Sequence, residues 1–386
     1  MARARQNGEG SVYKRKSDGL WIGSVTIGWE AGKRRRKTVS GHTAEEVRAK
    51  LREVRRHLDK GLPVPDHKTT VDDLLDRWFK DVMSHQVAPN ALENYETIAK
   101  HHIRPALGRR PLAKLSVAEI DALLSSKRTG NPKAGVKPLS VSTVRRIRAV
   151  LGQALAQAQR WDMVPRNVAA LSTAPKQTRS EGRTLSPEQA RTLLDALRGH
   201  RLEALYVTML GTGLRRGEAL GLLWSDVDLK GETLTVNHQL KRERGILVLG
   251  DVKTQKSRRA VNLPKTVVEA LKVHRNCQRA ERLHSGPAWQ ESGHVFTTMI
   301  GTPIDPRNIG RDFASVTEAA GLGHWHPNEL RHSALSLMLA RGVPIEVVSD
   351  VAGHASIRMT ADVYGYIMEP QRQAAANALD AVLSSS

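Results

Sequence analysis

Near the amino end the apolar positions alternate. Trp21, Val25, Ile27 and Trp29, with Gly23 in the same phase, lie between turn signals at Asp18-Gly19 and Ala31-Gly32 and predict strands of a small sheet. The period then lengthens. Val47, Leu51, Val54 and Leu58 recur at helical spacing behind a Thr43/Glu46 capping box, and Gly61 with Pro63 marks the stop. From about 66 to 178 the pattern is helical throughout. Val71, Leu74, Leu75, Trp78, Phe79 and Val82 form one stripe behind Thr70 and Asp73. Ser116 with Glu119 opens another helix, and Val144, Ile147, Leu151 and Leu155 mark a third. The stretch from Ser172 to Gly182 has no period and reads as a linker. A further unit opens at Ser186-Pro187-Glu188-Gln189, a capping box with proline at the first helical position. It runs through strands expected at Thr233–His238, Gly245–Leu249 and Arg258–Leu263. From about Ile304 it continues as helices separated by glycine and proline breaks.

These periods divide the chain at 1–65, 66–178 and 179–386, a multi-domain α+β protein. The length agrees, since 386 residues exceed the roughly 100–200 of one ordinary domain. Charge narrows the partner. The formal net charge of +21 favours a polyanion, nucleic acid before an acidic membrane, because no apolar run approaches the ~18–20 residues of a spanning helix. Residues 1–65 hold 16 basic and 7 acidic side chains and 66–178 hold 18 and 10, so these two segments should meet most of the phosphates. Lys33, Arg34, Arg35 and Arg36 form the densest run. A nuclear-import signal is its alternative reading. Arg145, Arg146 and Arg148 crowd one predicted helix, where charge usually makes a solvated face; the basic segments on either side favour DNA contacts. The lone Cys277 excludes an internal disulfide, and no secretory signal opens the chain, as expected of a protein in a reducing cytoplasm.

Phosphate-loop, dinucleotide and His-Glu-x-x-His patterns are absent, and no metal or cofactor is expected. Asp226 and Asp228 have the spacing to hold magnesium, but such a pair more often caps a turn before a strand. What remains is a dispersed set suited to phosphate. It comprises Arg215 in Gly211-Thr-Gly-Leu-Arg-Arg-Gly-Glu218, Lys253 between predicted strands with Lys256, Arg258 and Arg259 close by, and Arg331 in Asn328-Glu-Leu-Arg-His-Ser333. Gly353-His354, followed ten positions later by Tyr364, completes it. The Asn328 segment starts a helix after Pro327, where free amides and the dipole attract anions.

In that order the four segments resemble the tyrosine recombinases, or phage integrases. Thr212 to Asp228 looks like the first arginine box, Glu-Leu-Arg331-His-Ser like the second, and Gly353-His354 with Thr360-Ala-Asp-Val-Tyr364-Gly like the nucleophile box. The likeness spans essentially the whole chain. It implies a three-stranded sheet plus helix that binds arm-type DNA sites, an all-α domain on the core site, and a mixed, mainly-α catalytic domain. It also implies Tyr364 as nucleophile on phosphorus, leaving a 3′-phosphotyrosyl link whose rejoining needs neither nucleotide nor metal. Arg215 and Arg331 would clamp the phosphate, Lys253 would protonate the departing 5′-oxygen, and His354 would donate to the phosphate. An ammonium among like charges releases its proton more readily, which suits Lys253 to that task.

One position departs from the family. Three residues before the second arginine the usual histidine, the presumed proton acceptor, is Asn328, which can still hold a hydrogen bond to phosphate but cannot titrate. The base is therefore unassigned; His324 and His326 lie close upstream, and His332 reads as a packed, hydrogen-bonded histidine. Tyr366 competes with Tyr364, though on a helix the two point roughly 200° apart. By resemblance the partners are double-stranded DNA at core and arm-type sites, three further copies in a tetramer, a host DNA-bending protein and an excision directionality factor. The setting would be the nucleoid of a bacterial host, and the reaction integration or excision of a phage genome or other mobile element. A short apolar stripe at Ala375, Leu379, Val382 and Leu383 suits docking on a neighbour or on its own domain. A type IB topoisomerase and a catalytically impaired DNA-binding relative are the alternatives.

Overall fold

The computed structural model describes residues 11–30, 32–59, 68–176, 182–252, 257–364, and 376, 377, 379, 380, 383 and 384. The chain divides into two compact units, Met1–Thr178 and Arg179–Ser386.

In the first unit the alternating segment becomes an antiparallel sheet, β1 (Ser11–Lys14), β2 (Trp21–Glu30) and β3 (Lys33–Gly41), in the order β1-β2-β3. One face is closed by the helix Ala44–Asp59. Val25 packs there against Val47, Leu51 and Val54. Gly23 sits beneath that helix, and a Cβ on it would come within 2.6 Å of Val47 and 2.7 Å of Leu51, so the close approach requires glycine. A register shift between Thr26 and Gly28 ends the clean alternation. Beyond it Trp29 is 71% exposed, with the Arg34 guanidinium 5.9 Å from its ring centre. Arg34, Arg35 and Arg36 are all exposed, and Lys33 pairs with Glu30 through the backbone.

The helical part of this unit has its own core. Thr70 and Asp73 cap Val71–Trp78, Ser116 and Glu119 cap Val117–Thr129, and Ser140 caps the long helix Val141–Arg160. Val71, Leu74, Leu75, Trp78, Ile147, Leu151 and Leu155 meet inside, so the predicted stripes are the buried faces. The polar face of the long helix is partly committed. Arg145 donates to the Pro175 carbonyl at 2.9 Å, and Arg148 donates to Ala170 and Ser172, fastening the segment after the short helix Val168–Leu171. Arg146 is exposed.

The second unit opens with the capped helix Pro187–Ala196, followed by Glu203–Thr212 and the short Arg216–Leu220. β4 (Val227–Asp228), β5 (Thr233–Val236) and β8 (Arg259–Asn262) form one sheet in the order β4-β5-β8. Between β5 and β8 in sequence, β6 (His238–Glu243) and β7 (Ile246–Asp251) make a separate hairpin. The expected strand Thr233–His238 is thus divided at Asn237, whose amide turns to the Asp226 carboxylate at 2.9 Å. Asp228 accepts from the Lys230 and Gly231 amides as a turn cap, and among the described residues no cluster of His, Cys, Asp or Glu is suited to a metal ion. Helices Lys265–Ser285, Pro306–Ala319, Pro327–Ala340, Ile345–Ala352 and Ile357–Tyr364 complete the unit. Among the described residues no helix is long and apolar enough to cross a membrane.

Candidate active site

Four of the residues singled out from sequence come together in the second unit. Helix Glu203–Thr212 ends at Gly213 with φ +66°, and the turn aims Arg215 inward. Arg331 lies one turn into helix Pro327–Ala340 and is only 6% exposed. Its guanidinium donates to the Gly213 carbonyl at 2.7 Å, the Ala352 carbonyl at 2.7 Å and His354 Nε2 at 2.9 Å. Nε and one Nη1 proton of its five donors then stay available for a ligand. Arg215 donates to Glu218 at 2.6 Å and to the Gly353 carbonyl at 3.3 Å. The two arginines therefore hold neighbouring carbonyls, those of Ala352 and Gly353, at the end of helix Ile345–Ala352.

Gly353 makes that end workable. It has φ +61°, and a Cβ there would approach the Arg259 guanidinium to 2.8 Å. Gly353→Ala is expected to cost about 1–2 kcal/mol from the left-handed backbone alone, plus displacement of Arg259. Denaturant unfolding measures this, and a stability unchanged from wild type would contradict it.

Charge is concentrated at this point. Arg215, Arg259 and Arg331 gather around a single buried carboxylate, Glu218, whose partners include Arg259 at 3.0 Å. Burial alone would raise the Glu218 carboxyl, yet the Arg259 and Arg215 charges hold it below the usual carboxylate range. Burial and the Arg215 charge bring Arg331 down to about 10. His354 is pushed down to about 4 by burial and then by Arg331, Arg215 and Arg259. It is neutral at pH 7, and because a guanidinium only donates, Nε2 accepts while Nδ1–H points to Thr360 Oγ1 at 2.7 Å. A site with this surplus of positive charge is suited to a dianionic or monoanionic oxygen cluster.

Tyr364 ends helix Ile357–Tyr364, one turn after Thr360 on the same buried face. It is 2% exposed among Leu335, Leu339, Val348 and Ala352, and its hydroxyl lies 2.6 Å from His332 Nδ1. Tyr364 shares its apolar cluster with Ala352, whose carbonyl Arg331 holds, and its hydroxyl meets the histidine that follows Arg331 in the chain.

The remaining candidates fall elsewhere. Asn328 is exposed one turn before Arg331, and its side chain makes no hydrogen bond to the described residues. His324 pairs with Glu318 at 3.0 Å, and His326 is exposed at the helix cap; neither contacts the Tyr364 hydroxyl. Arg258 is exposed and pairs with Asp251 at 3.2 Å. Lys253, Lys256, Tyr366, Ala375 and Val382 lie outside the described residues, while Leu379 and Leu383 are exposed.

Sequence reasoning missed two neighbours. Arg259 shares the core-facing phase of β8 with buried Val261 and Leu263, and a basic residue on that phase signals a buried acid. His332 follows Arg331 directly, but only the fold shows that it meets a residue 32 positions away.

Comparison with known proteins gives the family. Residues 183–367 match the phage integrase family, and residues 70–127 match the phage integrase N-terminal SAM-like domain. An integrase of Streptomyces ambofaciens is 33% identical, with 99% of this chain and 98% of that protein aligned. A XerC-like tyrosine recombinase of Caldanaerobacter subterraneus subsp. tengcongensis is 30% identical over 92% of this chain and 95% of that protein. Two solved structures share the fold. The Tn1549 transposon integrase in complex with a circular intermediate DNA has a TM-score of 0.67 at 20% identity, covering 80% of this chain and 99% of that one. A lambda integrase dimer bound to a COC′ core site has a TM-score of 0.58 at 17% identity, covering 94% and 96%. The chain belongs to the phage integrase family. It is a tyrosine site-specific recombinase, and the matches favour that reading over the topoisomerase and the impaired relative.

Proposed function

We propose that Tyr364 is the nucleophile of this recombinase, and that Arg331 and Arg215 hold the scissile phosphate it attacks. The observation that carries this is a shared junction. Two guanidiniums from distant parts of the chain grip the adjacent carbonyls of Ala352 and Gly353, and Tyr364 packs against the helix that ends there, its hydroxyl on the histidine next to Arg331. Phosphodiesters repel nucleophiles, so catalysis depends on fixed donors at the oxygens that gain charge in the transition state. Glu218 and Arg259 act as positioning residues that fix Arg215. His354 orients Arg331 and, once a phosphate balances the guanidiniums, takes the Nε2 proton that lets it donate to an oxygen. Lys253 is assigned from sequence as the acid for the 5′-oxygen, and Asn328 as a further phosphate contact. The test is a nicked suicide substrate that traps cleavage: denaturing electrophoresis should show protein covalently joined to DNA, and its failure to appear under conditions of full binding would refute the assignment.

The substrate follows from the same reading. Residues 1–65 would bind arm-type sites through the sheet, while 66–178 and 179–386 clamp the core site, with Lys33 to Arg36, Arg145, Arg146, Arg148, Lys256 and Arg258 toward DNA. Four copies would exchange strands between two duplexes, inserting or excising a phage genome or other mobile element with a host bending protein and a directionality factor. This would take place on the nucleoid. Support comes from the exposed Arg34, Arg35 and Arg36 on the sheet and from the excess of basic residues in the first unit. Replacing Arg34, Arg35 and Arg36 by alanine should lower the slope of log affinity against log salt by about one for each phosphate no longer neutralised. A salt titration of arm-site binding checks this; an unchanged slope would remove the triplet from the interface.

A further inference from the structure

The structure assigns His332 as the group that takes the proton from Tyr364 during cleavage, the post left vacant by Asn328. The assignment rests on the reading of Tyr364 as nucleophile and deepens it. Asn328 cannot titrate and is exposed, His324 pairs with Glu318, and His326 is exposed at the helix cap. His332 Nδ1, by contrast, is 2.6 Å from the phenolic oxygen, within the reach a general base requires. The imidazole and phenol ring centres are 5.9 Å apart.

Its surroundings favour the neutral form. Arg331 and Glu329 face it from its own helix, Tyr364 from helix Ile357–Tyr364, and His354 from the turn after helix Ile345–Ala352. Burial, then the Arg331 charge, hold His332 below its ordinary value, with Glu329 opposing. With the proton on Nε2, Nδ1 is an open acceptor.

The step balances. As the Tyr364 oxygen bonds to phosphorus, its proton passes to Nδ1 and makes an imidazolium. The bond from phosphorus to the 5′-oxygen breaks, and that oxygen takes a proton from a separate acid. In rejoining, the 5′-hydroxyl attacks phosphorus and gives its proton back to that acid's conjugate base, the bond to tyrosine breaks, and Nδ1 returns its proton to the phenolate.

The test measures the rate of adduct formation on the suicide substrate for the full-length wild type, His332→Ala, His332→Asn and Tyr364→Phe, with DNA binding and circular dichroism recorded for each. His332→Asn keeps an acceptor near the Nδ1 position yet cannot take a proton. Both histidine variants should bind DNA normally and cleave about 10²-fold more slowly, with the deficit shrinking as pH rises toward the ionisation of the phenol itself. On a substrate with sulfur in place of the bridging 5′-oxygen, whose thiolate leaves without an acid, the defect should persist. Cleavage at the wild-type rate by His332→Asn would reduce His332 to a positioning residue and overturn the proposal. Faster cleavage by His332→Ala would make it a latch, with the same consequence, and rescue by the sulfur substrate would move it to the leaving-group side. An adduct from Tyr364→Phe would instead sink the underlying assignment of the nucleophile, whatever the histidine variants do.

Discussion

Tyr364→Phe is expected to leave no detectable covalent adduct while binding DNA as well as the wild type. The substitution removes one oxygen from a side chain that is otherwise packed among Leu335, Leu339, Val348 and Ala352, so the pocket keeps its shape. The lost hydrogen bond to His332 is worth about 0.5–1.5 kcal/mol, and the unpaired ring nitrogen costs a little more. Such a cost lowers stability slightly without unfolding a unit of this size. Chemistry, in contrast, stops, because no other phenolic oxygen among the described residues stands beside the guanidinium cluster. Suicide-substrate electrophoresis beside a mobility-shift assay separates the two effects.

Arg331→Lys carries the second large effect. Lysine preserves the positive charge and much of the length, so a role in long-range attraction alone would survive the change. The wild-type guanidinium does more: it joins the Gly213 carbonyl, the Ala352 carbonyl and His354 through a planar fork and presents its remaining edge to a ligand. An ammonium cannot satisfy those acceptors and grip phosphate oxygens together. Cleavage should fall by about 10²–10³-fold, the usual cost of removing one preorganised donor from a transition state. DNA affinity should change little, since its electrostatic part is spread over many basic residues. Single-turnover cleavage at saturating protein measures this, with unfolding controls for the abandoned carbonyls. A rate within a few fold of wild type would show that charge without the fork suffices.

How much of this was legible depends on range. Capping boxes at Thr70, Ser116 and Ser186 are written within four residues, and each begins a helix where its spacing placed it. The stripes behind them are the buried faces because burial follows the helical period. The hairpin was harder to place. Thr233 to His238 keeps a strand-like composition throughout, yet β5 pairs with β4 and β8 while β6 pairs with β7, and Asn237 between them turns to Asp226. The site divides in the same way. Arg215, Arg331, His354 and Tyr364 sit in short boxes whose local turns, at Gly213 and Gly353, leave a mark in the chain. Arg259 left a fainter mark, its phase on β8. His332 left none that distinguishes it from a packed histidine, because its partner comes from another helix.

The central claim is that the oxygen at position 364 becomes bonded to DNA phosphorus. Digestion of a trapped complex with nuclease and trypsin should yield the peptide 359–372, which contains both Tyr364 and Tyr366, carrying a nucleotide remnant. Fragmentation mass spectrometry should place the added mass on Tyr364. Added mass on Tyr366, or on any peptide outside this segment, would contradict the claim.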